Sequence, residues 1–135
     1  CGPVCPCLGW TAVMLTGVHH VSLLVQDTQA ALAFYCGILG LAQLPRPELG
    51  YPGAWLQLGM QQLHLLELPN PDPRQNRPMS IGHDRHTALS VSSLAELESR
   101  LQGGGIAYGR SRSGRAALFC RDPDGNGLEF VEIFP

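Results

Sequence analysis

Hydrophobic and polar positions follow the same order twice along the chain. The first half opens with alternating apolar and β-branched residues over 18–25, a pattern typical of a strand. Apolar residues at helical spacing follow over 30–39, with Asp27 and Thr28 as cap candidates. Two short strands are then predicted over 54–58 and 62–68, separated by Gly59. The pattern therefore predicts strand, helix, strand and strand in this half.

A proline-rich stretch over 70–78 interrupts the pattern, and the same order then restarts. Residues 86–91 alternate like a strand, and Ser93 with Glu96 forms a capping box at the start of a helix. A glycine run over 103–105 ends that helix. Strands are predicted over 116–120 and 128–134, joined by a tight turn over 122–127. The second half repeats the element order of the first.

The two halves also match residue by residue. A shift of 66 positions places His20 on His86, and a shift of 65 places His64 on Glu129. Each half is thus a β-α-β-β(-β) unit with a metal-capable side chain on its first strand and another on its last. A unit of about 55 residues is too small to bury both faces of its sheet, so the two units are expected to pair.

These four side chains form a candidate metal site. Strand alternation makes His64 and Glu129 point away from their apolar neighbours. Two sheets related by a pseudo-twofold axis would bring His20, His64, His86 and Glu129 together. Imidazole and carboxylate ligands suit Fe, Mn, Ni, Zn or Co. A single histidine on an apolar strand is commonly a hydrogen-bonded core residue, but four donors at repeat-equivalent positions favour a metal.

Composition limits the class of protein. The chain has 135 residues, 44% of them hydrophobic, a net charge of −2 and nine basic residues, all arginine. No apolar run approaches the roughly 20 residues that span a bilayer. The sequence also has no run of basic residues of the kind that binds nucleic acid. The odd cysteine count excludes a fully paired disulfide framework, so a cytoplasmic protein with reduced thiols is expected. Residues 1–13 are interpreted as a leader or disordered tail before a natural start at Met14.

Several segments together resemble the vicinal oxygen chelate superfamily, which includes glyoxalase I, fosfomycin resistance proteins, bleomycin-binding proteins, methylmalonyl-CoA epimerase and extradiol dioxygenases. The matching segments cover 17–23, 34–35, 39–41, 86–91 and the Asp-Pro-Asp-Gly-Asn-Gly-Leu-Glu sequence over 122–129. The resemblance implies an α+β fold in which two paired βαβββ modules form a cupped mixed sheet. It predicts one domain over 14–135, with module one at 17–69, a linker at 70–85 and module two at 86–135.

The resemblance also assigns roles. It implies metal ligands at His20, His86 and Glu129, and His64 matches the position of a fourth ligand. Relatives usually form homodimers, by side-by-side pairing or by exchange of modules, and the linker permits either. Glyoxalase I typically carries an arginine at the position of Leu24 to hold glutathione, so this residue argues against a glutathione substrate.

The expected function is that of a divalent-metal-dependent enzyme that binds neighbouring oxygens of a small molecule. Lyase, isomerase, thiol-transfer and dioxygenase reactions all fit this class. Glu129 and His64 are the candidate catalytic residues for proton transfer, with His64 alternatively a metal ligand only. The alternative function is a non-catalytic protein that binds a drug or metabolite, like the bleomycin-binding members.

Five residues are candidates for contact with the substrate. Ser22 and Ser90 are expected on the metal-facing side of their strands, although ordinary polar strand positions explain them equally. Tyr51 and Trp55 border a Pro/Gly-rich loop and are expected either at the pocket mouth or in packing. Arg112 belongs to an arginine-rich segment over 109–115 that would attract an anionic substrate or simply be solvated.

Overall fold

The structure, a computed structural model, describes residues 14–134, so the predicted leader lies outside it. Module one contains β1 (His20–Val25), α1 (Thr28–Leu32) followed by a π-helical turn (Ala33–Ile38), β2 (Gln43–Leu44), β3 (Gly53–Leu58) and β4 (Gln61–Glu67). A 3₁₀ turn (Ile81–His83) follows. Module two contains β5 (His86–Val91), α2 (Leu94–Gly103), β6 (Tyr108–Arg110), β7 (Ala117–Arg121) and β8 (Gly127–Glu132).

Each module forms its own four-stranded mixed sheet. The strand orders are β1-β4-β3-β2 and β5-β8-β7-β6, so the two sheets have equivalent topologies. In each sheet the first strand runs parallel to the last, and the remaining pairs are antiparallel. The predicted α+β class with two βαβββ modules is therefore confirmed. The outer strands β2 and β6 were not predicted, because two or three residues are too few to show an alternating pattern.

Helix starts are fixed by side chains at repeat-equivalent positions. Asp27 accepts hydrogen bonds from the backbone of the first turn of α1, and Ser93 accepts one from the Glu96 N–H in α2. These are the predicted caps. Glu67 at the end of β4 accepts from the backbone N–H of Thr28, and Glu132 at the end of β8 accepts from that of Leu94. The last strand of each module thus holds the start of its helix.

One hydrophobic core is shared by both modules. It contains Phe34, Tyr35, Leu56, Leu63 and Leu65 from module one, together with Leu89, Leu97, Leu101, Leu118, Leu128 and Phe130 from module two. Burying this common core explains why neither module needs to be stable alone.

The turn over 122–127 joins the two modules. Tyr35 donates its hydroxyl hydrogen bond to Asp122 over 2.6 Å, and Asp124 accepts from the backbone N–H of Gln26 over 2.8 Å. The side chain of Asn126 donates to the backbone oxygen of Leu24 over 3.1 Å. This conspicuous sequence motif therefore connects the end of β1 and the first helix to module two. Among the described residues no helix is long and apolar enough to cross a membrane.

Candidate metal centre

Two predicted ligands meet on the first sheet. Ser22 of β1 stands opposite His64 of β4, and His20 precedes it by two residues on the same face. The ring of His64 stacks between His20, at a centroid distance of 3.9 Å, and Trp55, at 4.4 Å. The adjacent Leu63 and Leu65 are fully buried on the opposite face, as the alternation predicted. His20, His64 and Trp55 form the first half-site.

The environment of His64 favours its neutral form. His64 is only 7% exposed. Burial lowers its pKa, and the nearby charges of His20, His19 and Arg46 lower it further. The Gln62 side-chain oxygen lies 2.8 Å from Nε2 of His64. A neutral imidazole is able to ligate a metal or to accept a proton.

The other two predicted ligands meet on the second sheet. Glu129 on β8 is 6% exposed, and its Oε2 lies 3.9 Å from Nε2 of His86 on β5. Its Oε1 accepts a hydrogen bond of 2.6 Å from Arg115. Nδ1 of His86 lies 2.9 Å from the backbone oxygen of Asp84, which only accepts, so Nδ1 carries the proton. In the neutral form of this ring the lone pair is thus on Nε2, on the side of Glu129, and His86 with Glu129 forms the second half-site.

The two half-sites do not merge within one chain. Across residues 14–134, no group of three or more His, Cys, Asp or Glu side chains is arranged to hold a metal ion. The expectation that four donors converge in a single chain is thus not met. The physical reason is that strand pairing joins β1 to β4 and β5 to β8, while none of the strand pairs in the described part of the chain joins one sheet to the other. Pairing brings together the members of each half-site only.

A cavity of about 920 Å³ opens beside the second half-site. Besides His86 and Glu129, its lining includes three arginines of the segment predicted to attract anions: Arg110, Arg112 and Arg115. Phe119 forms an apolar part of the wall, with its ring centroid 6.1 Å from that of His86. The cavity thus combines a buried carboxylate, an imidazole, guanidinium groups and an aromatic ring.

The remaining predicted substrate residues lie in different places. Ser22 lines a smaller cavity of about 280 Å³ together with His86. Ser90 lines a separate apolar groove with Leu58 and Leu97. Trp55 belongs to the first half-site. Tyr51 instead packs against Arg46, whose guanidinium carbon lies 5.0 Å from the centroid of the Tyr51 ring.

Three residues of the half-sites were missed by sequence reasoning. Gln62 contacts His64, Phe119 faces His86, and Arg115 contacts Glu129. Two of these residues could have been found from the sequence. Strand alternation places Gln62 on the same face of its strand as His64, and Arg115 belongs to the arginine-rich segment over 109–115. Phe119 is the cross-strand partner of Glu129, which only the observed register reveals.

Comparison with known proteins identifies the class. A family model described as the Glyoxalase/Bleomycin resistance protein/Dioxygenase superfamily matches residues 17–130, so the chain belongs to this superfamily. The chain is 32% identical over 121 residues to "Glyoxylase I 4" of Arabidopsis thaliana, covering 85% of this chain and 70% of the relative.

Two further likenesses agree with this assignment. The lactoylglutathione lyase of Salmonella typhimurium is 31% identical over 122 residues, covering 84% of this chain and 90% of the relative. The crystal structure of a putative glyoxalase family protein from Bacillus anthracis superposes with a TM-score of 0.73 at 26% identity. It covers 87% of this chain and 95% of that one. The fold and about a third of the sequence are therefore shared with these glyoxalase-like proteins.

Proposed function

We propose that the protein is a divalent-metal-dependent enzyme whose metal is held by His20, His64, His86 and Glu129. The observation that carries this proposal is the pair of half-sites at repeat-equivalent positions. Each half-site holds one nearly buried donor, His64 or Glu129, beside a more accessible histidine. A buried carboxylate and a buried imidazole are costly to keep in a fold unless they have partners.

The donor set fits a first-row divalent ion. Three imidazoles and one carboxylate suit Fe, Mn, Ni, Zn or Co. The hydrogen bond from His86 to the backbone oxygen of Asp84 fixes the ring and leaves Nε2 free to bind, as outer partners of metal-ligating histidines commonly do.

The separation of the half-sites leads us to propose a homodimer. The first half-site of one copy and the second half-site of its partner together supply all four donors. The linker over 70–85 connects the two modules of each chain and would let them contribute to different sites. One metal is then expected per chain in a twofold-symmetric dimer.

The chemistry we propose is proton transfer on a small oxygenated molecule, as in a lyase or an isomerase. When bound, the metal stabilises negative charge on two neighbouring substrate oxygens. Whichever of the two leaves the metal, Glu129 as a carboxylate or His64 as a neutral imidazole, would accept and return the proton. Ser22, opposite His64 on the neighbouring strand, would donate a hydrogen bond to the substrate. Leu24 in place of a glutathione-holding arginine favours a substrate without glutathione.

We further propose that the protein works in the cytoplasm. Cys36 and Cys120 are free thiols in the structure, as expected where thiols stay reduced.

Elemental analysis and metal titration of the full chain test the proposal. Wild-type protein is expected to bind about one divalent ion per chain. His86→Ala and Glu129→Gln are expected to lose most of this capacity, while the control His83→Ala, which changes another histidine of the same cavity, keeps it. Circular dichroism verifies that each variant is folded.

Two results would contradict the proposal. Unchanged metal content in both His86→Ala and Glu129→Gln would show that the ligand set is wrong. Failure of the wild-type protein to bind Mn, Fe, Ni, Zn or Co would instead leave a protein that binds its small molecule without a metal or turnover.

A further inference from the structure

The cavity beside the second half-site carries an excess of positive charge. Its lining contains Arg110, Arg112 and Arg115, whereas Glu129 is the carboxylate that faces them. Arg110 also pairs with Glu98. Arg112 forms no ion pair within the described residues 14–134. Among these residues the wall therefore offers one guanidinium, that of Arg112, in excess of the carboxylates that pair with its arginines.

Arg115 is the critical residue because it shares its partner with the proposed metal. Its guanidinium is 57% exposed and donates to Oε1 of Glu129 over 2.6 Å. A divalent ion bound at Oε2, on the side of His86, would leave the contact of Arg115 with Oε1 in place and draw negative charge away from it. The N–H groups of Arg115 that do not contact Glu129 are then left to face the cavity.

We propose that a substrate oxyanion, carboxylate or phosphate, binds Arg112 together with the N–H groups of Arg115 that do not contact Glu129. This inference rests on the proposed function and narrows its substrate class. The substrate then carries two neighbouring oxygens at one end and an anionic group at the other. A guanidinium fork is well suited to pair with such an oxyanion.

The surrounding residues agree with this division of the cavity. Arg112 and Arg115 lie in the segment that joins β6 to β7, on either side of Gly114, whose φ is +81°. Phe119 and His86 lie on strands that line the same cavity. A substrate in the cavity is thus able to contact both the charged segment and the sheet.

Binding of a matched set of chelators to the Mn(II)-loaded dimer, measured by calorimetry, tests the inference. Acetohydroxamic acid offers two neighbouring oxygens without a further charge. Malonic, succinic and glutaric monohydroxamic acids add a carboxylate at increasing distance, and phosphonoacetohydroxamic acid adds a phosphonate. At least one charged chelator is expected to bind wild-type protein about tenfold tighter than acetohydroxamic acid. If the carboxylate chelators bind more tightly than the phosphonate chelator, the anion is a carboxylate, and the reverse order indicates a phosphate.

The variant Arg112→Gln is expected to reduce this preference strongly while leaving the affinity for acetohydroxamic acid unchanged. Arg115→Gln is expected to reduce the preference as well, and its metal content is measured first because Arg115 contacts Glu129. Arg100→Gln, the same charge change on α2, is the control and is expected to keep the preference. The preference is also expected to fall at high salt.

The possible failures are distinguishable. Equal binding of neutral and charged chelators by the wild type, or a preference that survives both cavity substitutions, overturns the inference and leaves the proposed function intact. If the protein binds neither Mn(II) nor acetohydroxamic acid, the proposed function fails and the inference falls with it.

Discussion

At the scale of single residues, the buried contact between Tyr35 and Asp122 is the most consequential outside the metal centre. Tyr35 is fully buried, and burial together with the negative charge of Asp122 raises its pKa well above the usual value. The phenol thus stays protonated and remains a donor to a carboxylate that is itself 5% exposed. One hydroxyl group consequently links the helix of module one to the turn of module two.

Removing this hydroxyl group with Tyr35→Phe is expected to lower the free energy of unfolding by about 2 kcal/mol, because a buried carboxylate loses a donor. Urea denaturation measures the change. Tyr108→Phe removes an exposed hydroxyl that accepts from Gln102 and is expected to cost less than about 0.5 kcal/mol. If both variants lose the same free energy of unfolding, the contact between Tyr35 and Asp122 stabilises the protein no more than an exposed hydrogen bond does.

The environment of His64 gives a prediction about pH. Trp55 covers its ring, so Trp55→Ala is expected to raise the pKa of His64 towards the unperturbed value of about 6.5. NMR titration of the metal-free protein measures it. Phe119→Ala, which uncovers His86 instead, is the control and leaves the pKa of His64 in place. An unchanged pKa in Trp55→Ala would mean that neighbouring charges, and not burial, dominate the shift.

The same shift affects stability. The unfolded chain binds this proton near pH 6.5, whereas folded His64 binds it only at lower pH. Between these two values the unfolded state holds more protons, so acidification below pH 6.5 lowers the free energy of unfolding. In Trp55→Ala the part of this loss of unfolding free energy that comes from His64 is expected to shrink, because the pKa of His64 in the folded state moves closer to its pKa in the unfolded state.

At the scale of the elements, the internal repeat extends from the strands to the helix caps. Glu67 and Glu132 come from equivalent last strands and accept from the first N–H of equivalent helices. The shift of 65 positions that places His64 on Glu129 also places Glu67 on Glu132, but nothing in the chain alone indicates what these glutamates bind. Their role depends on the parallel pairing of the first and last strand, which brings the strand end to the helix start.

Glu132→Ala is expected to cost about 1 kcal/mol of unfolding free energy, because the backbone N–H of Leu94 loses its acceptor. Glu132→Gln is the matched control, since it keeps an acceptor oxygen and removes only the charge. Thermal and urea unfolding compare the two. If glutamine costs as much as alanine, the charge at the helix start matters more than the hydrogen bond.

Prediction of elements succeeded where the local pattern was long enough. The strands β1, β3, β4, β5, β7 and β8 and the helix α2 were predicted with bounds close to those observed. The π-helical turn over 33–38 was not, because its apolar residues show the same spacing as in an α-helix. Gly37 lies inside this turn, whereas Gly40, with a φ of +81°, follows it.

At the scale of the whole molecule, the sequence predicted four donors but not their separation into two half-sites. Alternation is a property of each single strand, so it predicts the face of each donor, whereas the pairing of β1 with β4 and of β5 with β8 decides which donors become neighbours. The relation between the two sheets depends on the shared core and on the turn over 122–127, whose contacts join residues that are distant along the chain. The periodicity of the sequence contains no information about such contacts, or about contacts with a second copy of the chain.

A heterodimer test decides whether two chains build each metal site. Two variants, His20→Ala and His86→Ala, are co-expressed with different affinity tags and the mixed dimer is purified. If a site takes its first half from one chain and its second half from the partner, one of the two sites is left without any substitution. The mixed dimer is then expected to bind about half the metal of the wild type.

The matched control combines His20→Ala with His64→Ala, which damages the first half-site of both chains and is expected to abolish high-affinity metal binding. The comparison separates the two arrangements, because sites contained within single chains would be damaged in every chain of both mixed dimers. Loss of metal from the first mixed dimer as well would exclude shared sites. Recovery in the first and not in the second would require that each cavity, with its arginines, faces the His20 and His64 pair of the partner.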